Sequence, residues 1–202
     1  MRRVVWDVDT QVDFVRADGK LAVPNAEDAL PAMARVVAWA RVEGIPHVAS
    51  ADDHELTDDE ISEEPDFEHT YPPHCLRGTR GAAKVPETEQ ADPVPLALTE
   101  VPDRWLHGRE FLLLKKSFDV FTNPNADRLL ALLDPEEVVL FGVATDVCND
   151  AAINGLLDRG RAVTFVEDAS RGLDEARTAA CTARWRDRGV RFSSAADLPM
   201  GR

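Results

Sequence analysis

An α/β domain with a parallel sheet covered by helices on both faces is the fold class that this sequence predicts, and three observations carry it. Nearly continuous apolar runs of strand length recur, segments with helical spacing alternate with them, and glycines stand where those helices would stop. Runs that are apolar at successive positions suit strands buried on both faces. The length of 202 residues fits one hydrophobic core, so a single domain over 1–202 is expected.

The strand candidates are "RVVWDVD" (3–9), "PHVASA" (46–51), "EFLLLK" (110–115), "EVVLFGV" (137–143), "AVTFVED" (162–168) and a short "VRF" (190–192). Helices are expected at about 28–43, where Leu30, Met33, Ala34 and Val37 share a face, and at about 125–133, 146–159 and 173–188. Gly44, Gly160 and Gly189 mark helix ends. One part breaks the rhythm: from 52 to 108 the chain is rich in Asp, Glu, Pro and Thr without periodicity. A long irregular segment inside a compact domain is usually functional or mobile.

The formal net charge of -14 argues against a nucleic acid or an anionic membrane as partner, since both require a cationic surface. In "MRRVVWDVD" the apolar run is interrupted by Asp7 and Asp9, too early for a signal peptide or a membrane span, so a cytoplasmic location is expected. The cysteines Cys75, Cys148 and Cys181 are few, odd in number and widely spaced, which fits neither a disulfide framework nor a CxxC clip.

Ligands of open parallel sheets collect at the carboxyl ends of the strands. Those ends carry Asp9, then Asp52 and His54, then Lys115, then the loop to Cys148. With Thr145 as N-cap, Cys148 would lie in the first turn of a helix, where free backbone N–H groups and the helix dipole favour a thiolate and can hold an oxyanion. Asp9 could take the thiol proton and Lys115 could stabilise the anions; without partners, each residue would be a buried thiol, a loop cap and a solvated strand end. Asp52 and His54 form an Asp-x-His pair, and His74 follows in "YPPHCLRGT". Carboxylate and imidazole ligands suit Zn, Fe or Mn, with Glu60 as a further acid; Cys75, beside His74, and Cys181, in a helical pattern, are assigned to packing.

With these pieces the chain resembles the isochorismatase-like cysteine hydrolases, and within them the nicotinamidases. "VVWDVDTQVDF", "ASADDH", "YPPHCLRGTRGA", "KKSFDVF" and "GVATDVCNDAA" carry the resemblance in order over most of the chain. It implies a three-layer α/β/α fold with a six-stranded parallel sheet in the order 3-2-1-4-5-6. It also implies a catalytic triad of Asp9, Lys115 and Cys148, with Lys116 the rival for the lysine. A cis peptide between Val143 and Ala144 and an oxyanion hole at the amides of Ala144 and Cys148 belong to the same pattern.

The resemblance further implies a divalent metal beside the substrate ring, on Asp52, His54 and His74. Many members place a histidine six positions after the first; this chain has Glu60 there, an acceptable carboxylate ligand for which Asp59 or Glu63 could substitute. Tyr71 and Phe14 would wall the ring. The expected reaction is hydrolysis of a small amide, nicotinamide first, by a protein that could be a homo-oligomer. The alternatives are another amide, carbamate, ureide or vinyl ether on the same fold, or a non-catalytic binding protein.

Overall fold

The computed structural model describes residues 1–67 and 69–199. Its sheet has seven parallel strands: β1 (Arg3–Val8), β2 (His47–Asp52), β3 (Val94–Leu96), β4 (Glu110–Lys115), β5 (Glu137–Val143), β6 (Ala162–Arg171) and β7 (Arg191–Ser193), in the spatial order β3-β4-β2-β1-β5-β6-β7. The expectation of a six-stranded sheet ordered 3-2-1-4-5-6 is corrected by the edge strand β3, which pairs Val94 with Phe111 and Leu96 with Leu113. Three residues around Pro95 give no periodic signal, and proline, which donates nothing to a ladder, is tolerated at an edge.

The helices are α1 (Val12–Val15), α2 (Leu30–Glu43), α3 (Ala126–Leu133), α4 (Cys148–Asp158) and α5 (Glu175–Asp187). They sort by which side of the sheet their apolar stripe meets. On one side Trp6, Val138 and Leu140 pack with Leu129 of α3, Ile153 and Leu156 of α4 and Trp185 of α5. On the other, Val5, Val139 and Phe141 pack with Met33, Val36 and Val37 of α2. Alternate residues of β1 and β5 therefore feed two cores, which is why both strands read as unbroken apolar runs.

One strand differs from its expected extent in a way that matters at the site. β6 continues to Arg171, three residues past the expected end, and its register against β5 shifts between Leu140 and Gly142. Gly142 itself has φ 128°, and a Cβ there would lie 2.1 Å from the Val8 carbonyl oxygen. Only glycine lets β5 approach the end of β1 so closely, just before the loop to Cys148. Among the described residues no helix is long and apolar enough to cross a membrane.

Candidate active site

The carboxyl ends of β1, β2, β4 and β5 converge on one buried cluster. Asp9 follows β1 and adopts φ 49°, a left-handed conformation that aspartate tolerates better than most side chains. Its amide donates to the Ser50 carbonyl at 3.2 Å, and Ser50 Oγ donates to Asp9 Oδ1 at 2.7 Å. Lys115, the last residue of β4, lies opposite Asp52, the last of β2, in register. Its side chain is 0 % exposed. The ammonium Nζ lies 2.9 Å from Asp9 Oδ2, pairs with Asp52 Oδ1, donates to the Ser117 carbonyl at 3.0 Å, and stands 3.7 Å from Cys148 Sγ. A buried ammonium needs this number of acceptors.

Lys116, the rival lysine, points elsewhere and pairs with Asp58 Oδ2 at 2.5 Å. Lys116 follows the last residue of β4, and the two ammonium groups reach different carboxylates. Cys148 opens α4, as expected, but the N-cap position belongs to Val147, with no side-chain cap, and not to Thr145. The Thr145 amide is instead donated to the Arg171 carbonyl at 2.8 Å, made possible by the extra length of β6. The Val143–Ala144 peptide is cis.

Charge in this cluster is set by burial and mutual proximity. Burial works against the charged Lys115, but Asp52, Asp9 and Cys148 outweigh it and hold its pKa well above the ordinary lysine value. Burial raises Asp9, with Lys115 the main opposing influence, so Asp9 is a stronger proton acceptor than an exposed carboxylate. Cys148 is pushed well above the usual thiol range by burial; Lys115 opposes this, while Asp9 and Asp52 add to it. Burial beside two carboxylates thus outweighs the pull of the helix terminus and the ammonium toward a thiolate.

Next to this cluster, Asp52, His54, Glu60 and His74 each offer one ligand atom, all within 4.8 Å of one another and all four residues buried. His54 Nε2 lies 3.9 Å from both Asp52 Oδ2 and Glu60 Oε1, and His74 Nε2 lies 3.8 Å from the same two atoms. Neither Nε2 has a hydrogen-bond partner. Two orphaned imidazole nitrogens facing two carboxylates fit a divalent cation, which would neutralise the carboxylates and satisfy both nitrogens. Burial and the neighbouring Asp52 raise Glu60 to about 7. Burial also acts on Asp52, but Lys115 and His74 bring it down to about 2. Of the acids considered for the fourth place, Glu60 takes it; Asp59 and Glu63 are absent from the group.

The loops that place these ligands are pinned from "DTQVDF". Gln11 accepts from the Asp52 amide at 2.7 Å and donates to the Asp52 carbonyl at 2.8 Å. Asp13 Oδ2 accepts from the Cys75 amide at 2.8 Å, fixing the residue after His74. A Cβ on Gly81 would lie 2.0 Å from that same oxygen, so a glycine is needed there. Cys75 and Cys181 are buried packing residues, as expected.

A pocket opens beside both clusters. Asp52, Glu60, His74 and Cys148 form its polar wall, and Phe14 and Tyr71 line it. Ala144 also faces it. Phe118, Val147 and Leu173 complete the apolar walls and were not anticipated. Phe118, within "KKSFDVF", meets Tyr71 edge-on with ring centroids 5.6 Å apart, and Phe14 lies 5.3 Å from the His74 ring. His54 is not among the residues that line the pocket.

A strand-end acid, a buried lysine and a thiol at a helix start thus stand together on the parallel sheet of an isochorismatase-family hydrolase. The chain belongs to that family, matching it over residues 4–197. It is similar to the nicotinamidase of Escherichia coli strain K12, 26 % identical over an alignment of 189 residues that covers 85 % of this chain and 84 % of that one. It is similar as well to the nicotinamidase/pyrazinamidase of Mycobacterium tuberculosis, 27 % identical over 194 residues, 93 % of this chain and 96 % of the relative. Its fold matches that of the pyrazinamidase of Pyrococcus horikoshii, solved in complex with zinc, with a TM-score of 0.76 at 20 % identity over 96 % of this chain and 99 % of that one.

Proposed function

We propose that this chain is a cysteine-dependent amidohydrolase that converts nicotinamide to nicotinate and ammonia. One observation carries the reading: the Asp9–Lys115–Cys148 cluster and the Asp52–His54–Glu60–His74 group border the same aromatic-walled cavity. Most of the residues that line the pocket are apolar or aromatic, which suits a neutral planar ring better than a charged acyclic substrate. The similarity to two nicotinamidases supports the same substrate.

Asp9 accepts the Cys148 proton as the sulfur–carbon bond to the carboxamide forms. This is where its raised basicity matters, because Cys148 rests as a thiol. The amides of Ala144 and Cys148 hold the resulting oxyanion. Asp9 gives the proton to the amide nitrogen as the carbon–nitrogen bond breaks and ammonia leaves, giving a thioester on Cys148. Asp9 then takes a proton from water, whose oxygen adds to the thioester carbon. The sulfur–carbon bond breaks, the acid is released, and the proton returns to the thiol.

Lys115 stays charged throughout and offsets the negative charge that moves between Asp9, the sulfur and the oxyanion. A divalent cation, when bound by Asp52, His54, Glu60 and His74, supplies a Lewis-acid contact that orients the ring nitrogen or a water against it. The whole chain acts as a single domain in which segment 52–108 builds the metal and pocket walls.

The test is ammonia release from nicotinamide by metal-replete protein, with Cys148→Ala as the blank. Release by the wild type and none by the variant is expected. Equal release by both would overturn the cysteine mechanism; release by neither, with substrate analogues of other amides turned over, would move the substrate away from nicotinamide.

A further inference from the structure

We propose that Asp58 and Lys116 form a positioning pair that holds His54 in the one tautomer able to ligate a cation together with Asp52, Glu60 and His74. The inference rests on the metal reading above and extends it to residues outside the four ligands.

Three donors converge on one oxygen. His54 Nδ1 lies 3.2 Å from Asp58 Oδ2, Lys116 Nζ lies 2.5 Å from it, and the Glu55 amide donates to it at 2.8 Å. An ionised carboxylate can only accept, so Nδ1 of His54 carries the proton and a neutral ring then presents a lone pair at Nε2. That Nε2 is the buried atom without a hydrogen-bond partner, 3.9 Å from both Asp52 Oδ2 and Glu60 Oε1. His74 is set in the same way by a different device: its Nδ1 lies 2.8 Å from the Pro72 carbonyl oxygen, also an obligate acceptor.

The two imidazoles thus reach the same protonation pattern, one through the backbone and one through a side chain that can be changed. Lys116 has a reason to be there. Alone, Asp58 would add a third negative charge close to Asp52 and Glu60; paired with the ammonium it orients His54 without adding net charge. Because Lys115 and Lys116 are adjacent and reach different carboxylates, the end of β4 supplies one ammonium to each cluster. A merely structural role, tying the 53–61 loop to β4, would use the same Lys116–Asp58 contact but would not require His54 Nδ1 to share its oxygen.

The experiment has two readouts, neither of which needs turnover. Long-range proton–nitrogen correlation spectra of the metal-free protein report the His54 tautomer, and titration with Zn2+ against a chromophoric chelator reports affinity. In the wild type, His54 should be a single Nδ1–H species. In Asp58→Ala it should become a mixture of tautomers, with Zn2+ affinity falling by roughly ten- to a hundredfold, the range for loss of an outer partner of a metal ligand.

Lys116→Met, which leaves the Glu55–Asp58 bond in place, should weaken binding less, and Lys116→Arg should restore it. This second pair keeps the test decisive if Asp58→Ala does not fold. Wild-type protein that binds Zn2+ while the Asp58→Ala and Lys116→Met variants match it in affinity and in the His54 spectrum would overturn the positioning pair and leave the metal reading intact. Wild-type protein that takes up neither Zn2+ nor Mn2+ would overturn the metal reading, and this inference with it.

Discussion

Replacing Lys115 by methionine removes the one ammonium shared by two buried carboxylates, and the consequence can be worked from the geometry. Nζ is 2.9 Å from Asp9 Oδ2 and also in contact with Asp52 Oδ1, all three side chains being nearly or wholly buried. At an effective dielectric constant of about 20, a charge pair at that separation is worth ~6 kcal/mol before desolvation. Breaking one partner out of a buried pair costs about 3–5 kcal/mol in practice, because the remaining charge is left uncompensated. Lys115→Met should therefore lose about 3–5 kcal/mol in urea unfolding at pH 7, measured without metal and with an unchanged m-value. With the ammonium gone, Asp9 and Asp52 take up protons more readily, so the deficit should shrink as the pH is lowered toward 5. Adding Asp52→Asn to the variant should recover part of the loss, since it removes one stranded charge. A loss below about 1 kcal/mol, or one that grows toward low pH, would refute the argument that Lys115 is the charge keystone of the cluster.

Two further outcomes follow from particular contacts. Gly142→Ala places a Cβ 2.1 Å from the Val8 carbonyl at a φ of 128°, so it should cost at least about 1–3 kcal/mol, as overpacking does, seen as a lower melting temperature together with reduced ammonia release. Glu60 sits at about 7 in the metal-free protein, above the ordinary carboxylate value, so below pH 7 it is mostly protonated. Burial lowers His74, but Asp52 and the Pro72 carbonyl outweigh it and hold it above the ordinary imidazole value, so cation binding must displace protons from both Glu60 and His74: affinity should rise with pH, and calorimetry at pH 6 in buffers of different ionisation enthalpy should report release of more than one proton. A pH-independent affinity between 5 and 8 would exclude Glu60 as a ligand.

What the sequence determined by itself is the order of elements and the residues at the strand ends. Apolar runs and their helical neighbours repeat with a regularity that follows from burial on both faces of a sheet, and Asp9, Asp52, Lys115 and Cys148 stand at or just beyond the last apolar residue of their strands. The motifs also pointed to Glu60 and His74 inside a segment with no periodicity, and folding brings both beside Asp52 and His54. The edge strand Val94–Leu96 was not legible: three residues around a proline carry too little pattern, and only pairing with β4 makes them a strand.

Only the tertiary structure decided between neighbours and between protonation states. Lys115 and Lys116 are alike in sequence; the fold brings one to Asp9 and Asp52 and the other to Asp58. Phe118 becomes a pocket wall because Tyr71, distant in sequence, packs against it. The Cys148 thiol is pushed above its usual range by burial, with carboxylates from two other strand ends adding to it and Lys115 opposing, a sum that local sequence does not contain. Residue type and spacing are local properties of the chain, whereas register, facing and electrostatic environment arise from segments brought together by folding.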